Sequence, residues 1–305
     1  MSNNEIQSLH DLKNRLIQIK KMGWVESHRE HDTGIGKTFE DLIGIKENNL
    51  QIPDIGGIEV KSLRDYTSSL VTLITFEPPK EFRNVEWTLD GLINSFGKTG
   101  DDKDTGLPVF HITVSSRCYT GNTQQFKLDI RTINGEEMVC VVTKRHFIPK
   151  NPNLPSDIVV CFPVKDIIQK ISQKLGGCLL VIEAETRKKG NIEEFRLKSA
   201  KLYAGFSASK FIELVREGRI YLDIRFGRYR KGPNKGKPHN HGTGWRIRKK
   251  DILELYSREI DLLKDEIPDD INCEVAKIDY STKGRTRPII EFLKRKKIDI
   301  LLLLL

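Results

Sequence analysis

The run Pro53-Asp54-Ile55-Gly56-Gly57-Ile58-Glu59-Val60-Lys61 gathers two carboxylates and an amine into nine residues. If 58–62 is a strand, alternate side chains point to opposite faces. Glu59 and Lys61 then share one face, and Ile58 and Val60 share the other. Gly56-Gly57 permits a tight turn that returns Asp54 to the side of Glu59. Two carboxylates repel one another unless a cation lies between them. Oxygen donors of this kind suit Mg²⁺, which takes one or two carboxylates and completes its shell with water and substrate phosphate. Such an ion lowers the pKa of a bound water and neutralises charge developing on a phosphate, while Lys61 can orient the water or stabilise the transition state. Glu40, on a segment expected to be helical, is a candidate fourth member. Taken alone the pattern is short, since Asp before a Gly-Gly turn and Glu-x-Lys on a strand are also ordinary structural features.

A second feature raises its weight. The chain carries 51 Lys and Arg against 42 Asp and Glu, a surplus of nine. The 26 residues 225–250 (RFGRYRKGPNKGKPHNHGTGWRIRKK) hold ten Lys or Arg and no acid, so the rest of the chain is close to neutral. Phe226, Tyr229, His239, His241 and Trp245 are interleaved with the charge. The flanks 220–226 and 244–248 alternate like strands, and the Gly/Pro-rich 232–238 connects them. A basic, glycine-rich loop between strands can enter a DNA groove, with arginines at base edges and lysines at phosphates. A further basic cluster, Lys283 to Lys297 opposed only by Glu291, is expected to form a helical tail that ends in the five leucines 301–305.

The remaining elements follow from periodicity. Helices are expected at 4–22, 38–47, 89–96 and 252–263, partly within 157–174, and from an N-cap at Ser207 to Arg216. Residues 34–37 are expected to be a loop. Strands are expected at 58–62, 70–76, 109–114, 126–130, 138–143 and 178–182, with an Asn134-Gly135 turn before 138–143. Helices and strands mix without strict alternation, which points to a mixed α/β sheet rather than a doubly wound one. The expected division is a catalytic lobe at 1–205, a basic DNA-recognition lobe at 206–260 and a basic C-terminal tail at 261–305.

Several classes are set aside. No apolar run approaches the ~20 residues of a bilayer span, and the polar start lacks the apolar stretch of a signal peptide. The chain therefore reads as cytoplasmic with no membrane partner. Five widely spaced cysteines without CxxC argue against both a disulfide scaffold and structural zinc. Gly34-Ile35-Gly36-Lys37-Thr38 is not a phosphate-binding P-loop, because His31 occupies the position of the first glycine. His239-Asn240-His241 is too compact for a metal-finger nuclease, and its imidazoles suit hydrogen bonds to bases or phosphates.

The motifs together resemble those of the MvaI/BcnI restriction endonucleases, within the PD-(D/E)xK nucleases related to MutH. The resemblance rests on Thr33-Gly34-Ile35-Gly36-Lys37-Thr38-Phe39-Glu40-Asp41-Leu42 with Pro53-Asp54 and Ile58-Glu59-Val60-Lys61. It continues through Phe110 to Ser115 and Phe126 to Ile130, and then through Asp223-Ile224-Arg225-Phe226-Gly227, Tyr229, Gly236-Lys237, His239 to Thr243 and Arg246-Ile247. The resemblance implies a central mixed sheet flanked by helices plus a DNA-recognition lobe. It implies Mg²⁺-dependent cleavage of double-stranded DNA at a site of the form CC, one central base, GG, leaving 5′-phosphate ends. Glu40, Asp54, Glu59 and Lys61 would form the active site, with Asp54 and Glu59 holding the metal. Asp223, Arg225, Tyr229, Lys237, His239, Asn240, His241 and Arg246 would form the DNA surface. The enzyme would act as a monomer, cutting one strand at a time, beside a cognate DNA methyltransferase. Asn240 departs from the family's pattern, which has an acidic residue between the two histidines. An amide pairs with adenine, whereas a carboxylate accepts from cytosine. The alternatives are a MutH-like nicking nuclease of mismatch repair or methyl-directed repair, and a non-catalytic DNA-binding protein.

Overall fold

The computed structural model describes residue 6 and residues 8–45, 53–121 and 123–273. In chain order the elements are α1 (Leu9–Met22), β1 (Trp24–Glu26), α2 (Gly34–Ile43), β2 (Ile58–Arg64), β3 (Val71–Thr75), α3 (Leu89–Phe96), β4 (Gly100–Asp101), β5 (Pro108–Val114), β6 (Phe126–Ile133), β7 (Glu136–Thr143), β8 (Ile158–Pro163), α4 (Val164–Leu175), β9 (Cys178–Lys189), β10 (Ile192–Phe206), α5 (Ala208–Arg216), β11 (Ile220–Arg228), β12 (Pro238–Asn240), β13 (Gly244–Ile247) and β14 (Tyr256–Asp261). They fall into two compact units, one from 1–69, 171–208 and 252–305, the other from 70–170 and 209–251. The stretch 206–260 thus supplies residues 209–251 to the second unit, alongside 70–170.

The first unit is built on a sheet of order β1-β10-β9-β2, with β14 also paired to β10. β2 and β9 run parallel from Ile58↔Cys178 to Arg64↔Ala184, while the pairs made by β10 are antiparallel. The sheet is therefore mixed, as expected. α1 begins at Ser8, whose hydroxyl accepts from Asp11 N at 3.1 Å; such a cap contributes about 1 kcal/mol. Its buried stripe Leu12, Leu16 and Ile19 joins Ile35, Phe39 and Ile43 of α2 against Ile58, Val60, Leu180, Ile182, Phe195 and Leu202. Each fully buried side chain of this size contributes roughly 1.5–3 kcal/mol. This packing fixes the face of β2 that carries Ile58 and Val60, and so dictates that Glu59 and Lys61 point the other way.

The second unit holds a sheet of order β3-β13-β11-β5-β4, with β12 paired to β11, and a three-stranded sheet β6-β7-β8. The Asn134-Gly135 turn between β6 and β7 has both residues at positive φ, 52° and 80°, as a two-residue hairpin requires. Trp245, Phe162 and Phe211 are fully buried and in ring contact, with Trp245–Phe162 centroids 5.2 Å apart.

Four expectations are corrected. Residues 34–37 are the first turn of α2, because the apolar spacing of Ile35, Phe39 and Ile43 starts there. Residues 252–263 are not a helix: a 3-10 segment at Lys249–Leu255 leads into β14, where the open edge of β10 outweighs local helical spacing. Strand 178–182 is the start of the 12-residue β9, which forms a long hairpin with β10. Cysteines do pair: Cys140 with Cys161 across β7 and β8, and Cys178 with Cys273, leaving Cys118 free among the described residues. Neither pair has a spacing signal: strand pairing of β7 with β8 joins residues 21 apart, and the irregular chain that follows β14 carries Cys273 back to Cys178 at the start of β9, 95 residues away in sequence. The expected tail helix at 283–297, the leucine run 301–305, the tail beyond 273 and the end of the expected helix 38–47 lie outside the described residues.

The Cys178–Cys273 bond closes a 95-residue span. Cys273→Ser should lower unfolding free energy by about 2–4 kcal/mol relative to the oxidised wild type. Urea titrations of the two proteins check this, and coincident midpoints would refute it.

Candidate active site and nucleic-acid interface

Gly56 and Gly57 adopt φ +46° and +89°, and Ile55 and Ile58 pair across them. This two-residue reversal needs positive φ at both positions, which only glycine adopts without strain. It returns Asp54 to β2, where Asp54 Oδ2 accepts from Val60 N at 2.8 Å. Glu59 is 1% exposed. Its Oε1 accepts from Lys61 Nζ and pairs with Lys174 Nζ at 3.2 Å. Its Oε2 is buried with no partner. Burial pushes the Glu59 carboxyl upward, Lys61 and Lys174 pull it down, and the charge of Asp54 adds to the rise. Asp54, Glu59 and Lys61 therefore come together as the sequence predicted.

Glu40 lies on α2, which packs on β2 through Ile35, Phe39 and Ile43. Among the described residues, no group of three or more His, Cys, Asp or Glu side chains converges as a complete metal cage. Two carboxylates, one with a bare buried oxygen, still fit Mg²⁺, which keeps several waters and takes few protein ligands.

Sequence reasoning missed Lys174 and Tyr256. Lys174 sits in the last turn of α4, where a lysine looks like any solubilising cation. Tyr256 opens β14; its hydroxyl is buried without a partner, and burial together with the nearby Glu59 charge raises its pKa. Only the pairing of β14 with β10 puts it there.

In the second unit, β11 turns Leu222, Ile224 and Phe226 into the core and Asp223 and Arg225 to the opposite face. The pairs Asp223↔Thr113, Arg225↔His111 and Gly227↔His239 assemble that face from β5, β11 and β12. Gly227 leaves room for the two imidazoles, since a Cβ there would lie 2.8 Å from His241 Nε2 and 3.1 Å from His111 Nε2 and would displace those rings. His239 stacks on Tyr229 at 4.2 Å and 16°, and its ring lies 4.2 Å from His241. His111, absent from the predicted set, is drawn in by strand pairing, with its ring 6.0 Å from His241.

The predicted DNA-binding residues divide by their contacts. Asp223 is 4% exposed and accepts from Thr113 Oγ1 at 2.6 Å and from Arg246 Nη1, so it holds Arg246. Arg246 Nη2 donates to Leu70 O. Arg225 donates from Nε to Gly242 O and from Nη2 to His241 O, both at 3.1 Å. Asn240 Oδ1 caps the turn by accepting from Gly242 N at 2.7 Å. Exposed Lys237 bonds Asn234 Oδ1 at 3.1 Å. The basic loop closes on itself through Tyr229 N to Lys237 O and Gly236 N to Tyr229 O. Arg230 anchors it to Asp102 and Asp104, a second feature that the sequence hid. Lys231 and Lys235 are exposed. Tyr229, His239, His241 and the lysines thus present an aromatic, cationic surface.

Desolvation pulls His241 down to about 4, aided by His239, His111, Arg225 and Arg230. Its imidazole is neutral at neutral pH and can accept as well as donate. The unfolded chain takes up that proton first as pH falls. The stability tied to His241 is thus present above pH 6.5 and is lost as pH drops toward 4. His241→Gln should show a shallower loss across that window. Urea unfolding at pH 7, 5.5 and 4.5 tests this, and parallel curves for the two proteins would contradict it.

Comparison with known proteins places this geometry. The family model of the MvaI/BcnI restriction endonucleases matches residues 13–256. A solved structure of restriction endonuclease MvaI in complex with cognate DNA substrate matches at TM-score 0.68 and 29% identity, covering 85% of this chain and 100% of that one. MvaI in the absence of DNA matches at TM-score 0.45 and 29% identity, covering 85% of this chain and 99% of that one. A search of curated proteins finds no match. With a family match spanning both the carboxylate–lysine strand and the basic face, the chain belongs to the MvaI/BcnI restriction endonuclease family and is a site-specific deoxyribonuclease.

Proposed function

We propose that the protein is a type II restriction endonuclease that hydrolyses double-stranded DNA at a short site of the form CC, one central base, GG, using Mg²⁺ and leaving 5′-phosphate and 3′-hydroxyl ends. The observation that carries this reading is the buried Glu59, with one oxygen on two ammonium groups and the other bare, beside Asp54. Asp54 and Glu59 would hold the ion. Bound there, it would neutralise charge on the scissile phosphate and acidify a water. Lys61 would orient the attacking water and stabilise charge building on the phosphate. Water oxygen would bond to phosphorus in line as the bond to O3′ breaks; the attacking water gives up a proton to solvent and O3′ takes one up from solvent, leaving a 5′-phosphate and a 3′-hydroxyl. Glu40 is assigned to the same site on the family resemblance.

Base reading falls to the face built on β11. Arg225 and Arg246 suit guanine O6 and N7, the pairing expected at a GG step. Tyr229, His239 and His241 line the same face, and Lys231, Lys235 and Lys237 suit phosphates. That MvaI is solved with cognate DNA supports a duplex partner for this surface. The working form is a monomer that nicks each strand in turn, with a cognate DNA methyltransferase protecting host sites.

Lys61→Ala should lower Mg²⁺-dependent cleavage by at least roughly 10²–10³-fold while leaving duplex affinity intact. Digestion of defined genomic DNA, with fragment ends sequenced and an EDTA control, reports activity, site and ends together. Wild-type cleavage by the Lys61 variant, or cutting in EDTA, would overturn the assignment. Removing Lys231, Lys235 or Lys237 singly should reduce the salt slope of binding by about 1 each. Filter binding across a salt series measures it, and unchanged slopes would remove these lysines from the phosphate contacts.

A further inference from the structure

Glu77 follows β3, outside every motif that the sequence singles out. Its carboxylate gathers three donors: Thr243 N on Oε1 at 2.7 Å, and Thr243 Oγ1 at 3.0 Å and Trp87 Nε1 at 2.6 Å on Oε2. Thr243 is fully buried. Phe76 N adds a bond to Thr243 O at 2.9 Å. The segment 240–243 is thereby fastened at one end by Glu77 and at the other by the Asn240 cap. The carbonyls of His241 and Gly242, between those two fixings, accept from the guanidinium of Arg225. His241 N in turn donates to Arg225 O at 2.9 Å.

A carboxylate whose lone pairs meet three donors is rigid, and charge-assisted bonds of this kind are the strong ones. Trp87 is braced as well, with its ring edge-on to Phe226 at 5.6 Å. Glu77 thus anchors the platform against which Arg225 is aimed.

We propose that Glu77 is a positioning residue for sequence recognition: through Thr243 it sets the His241 and Gly242 carbonyls that aim Arg225 and fix His241. The inference rests on Arg225 reading a base, as proposed above. Glu77→Gln keeps the size of the side chain but turns one acceptor into a donor. That NH₂ must face Thr243 or Trp87, both donors, so the turn must shift.

The test measures kcat/KM on a cognate duplex and on duplexes changed at one base pair each, for wild type, Glu77→Gln, Thr243→Val and Arg225→Lys. A good base contact is worth roughly 5- to 150-fold in discrimination. Glu77→Gln should lose discrimination in that range, confined to the base pair that Arg225→Lys also relaxes. Its non-specific affinity and salt slope should match wild type, which general damage to the unit would not leave intact. Thr243→Val removes one of the three donors and should relax the same base pair less; it decides the matter if Glu77→Gln fails to fold. Relaxed Arg225→Lys with fully discriminating Glu77→Gln and Thr243→Val would overturn the role of Glu77 alone. A uniform loss at every duplex would also overturn it. Full discrimination by Arg225→Lys would instead overturn the base-reading assignment, and this inference with it.

Discussion

A carboxylate taken out of water is costly unless cations and donors replace the solvent. Glu59 meets that requirement on one oxygen only. Its Oε1 faces Lys61 and Lys174, and its Oε2 is buried and bare. The arrangement follows from strand geometry. Packing of α1 and α2 on Ile58 and Val60 sends Glu59 and Lys61 to the opposite face. The parallel pairing of β2 with β9 brings the segment after α4 to the start of β2, so the last turn of α4 delivers Lys174. The Gly56-Gly57 turn returns Asp54.

The same constraint operates in the second unit with the signs reversed. Arg225 and Arg246 are cations on a partly desolvated face, and burial lowers the pKa of Arg225. The protein supplies acceptors from its own chain: Asp223 and Leu70 O for Arg246, and the His241 and Gly242 carbonyls for Arg225. These bonds hold the guanidinium groups in defined orientations before any partner arrives, which reduces the conformational entropy lost on binding. They also set a threshold, because a base must compete with bonds already made. Asp223 belongs to this support, since both its oxygens are taken up inside the protein.

Much of the chemistry was legible before the fold. Strand alternation put Glu59 and Lys61 on one face, and the paired glycines foretold the return of Asp54. Charge counting found the basic face at 225–250, because ten cations without an acid in 26 residues is a local property. The boundaries of α3, β5 and the Asn134-Gly135 hairpin were close for the same reason: each is specified by residues a few positions apart. What failed was non-local. The segment 252–263 has helical spacing, yet the edge of β10 recruited it as β14. The cysteine pairs join residues distant in sequence, Cys140 and Cys161 through the pairing of β7 with β8, and Cys178 and Cys273 through the return of the chain after β14.

The sequence by itself determined which side chains are adjacent along one strand or one turn, because alternation and glycine conformations act over two to six residues. The tertiary structure decided which distant groups complete those sets: Lys174 beside Glu59, His111 beside His241, Glu77 beneath Thr243 and Asp102 beneath Arg230. Each of these partnerships spans tens of residues or more in sequence. They arise from sheet order and loop closure, which depend on the burial of the whole core and not on any local pattern.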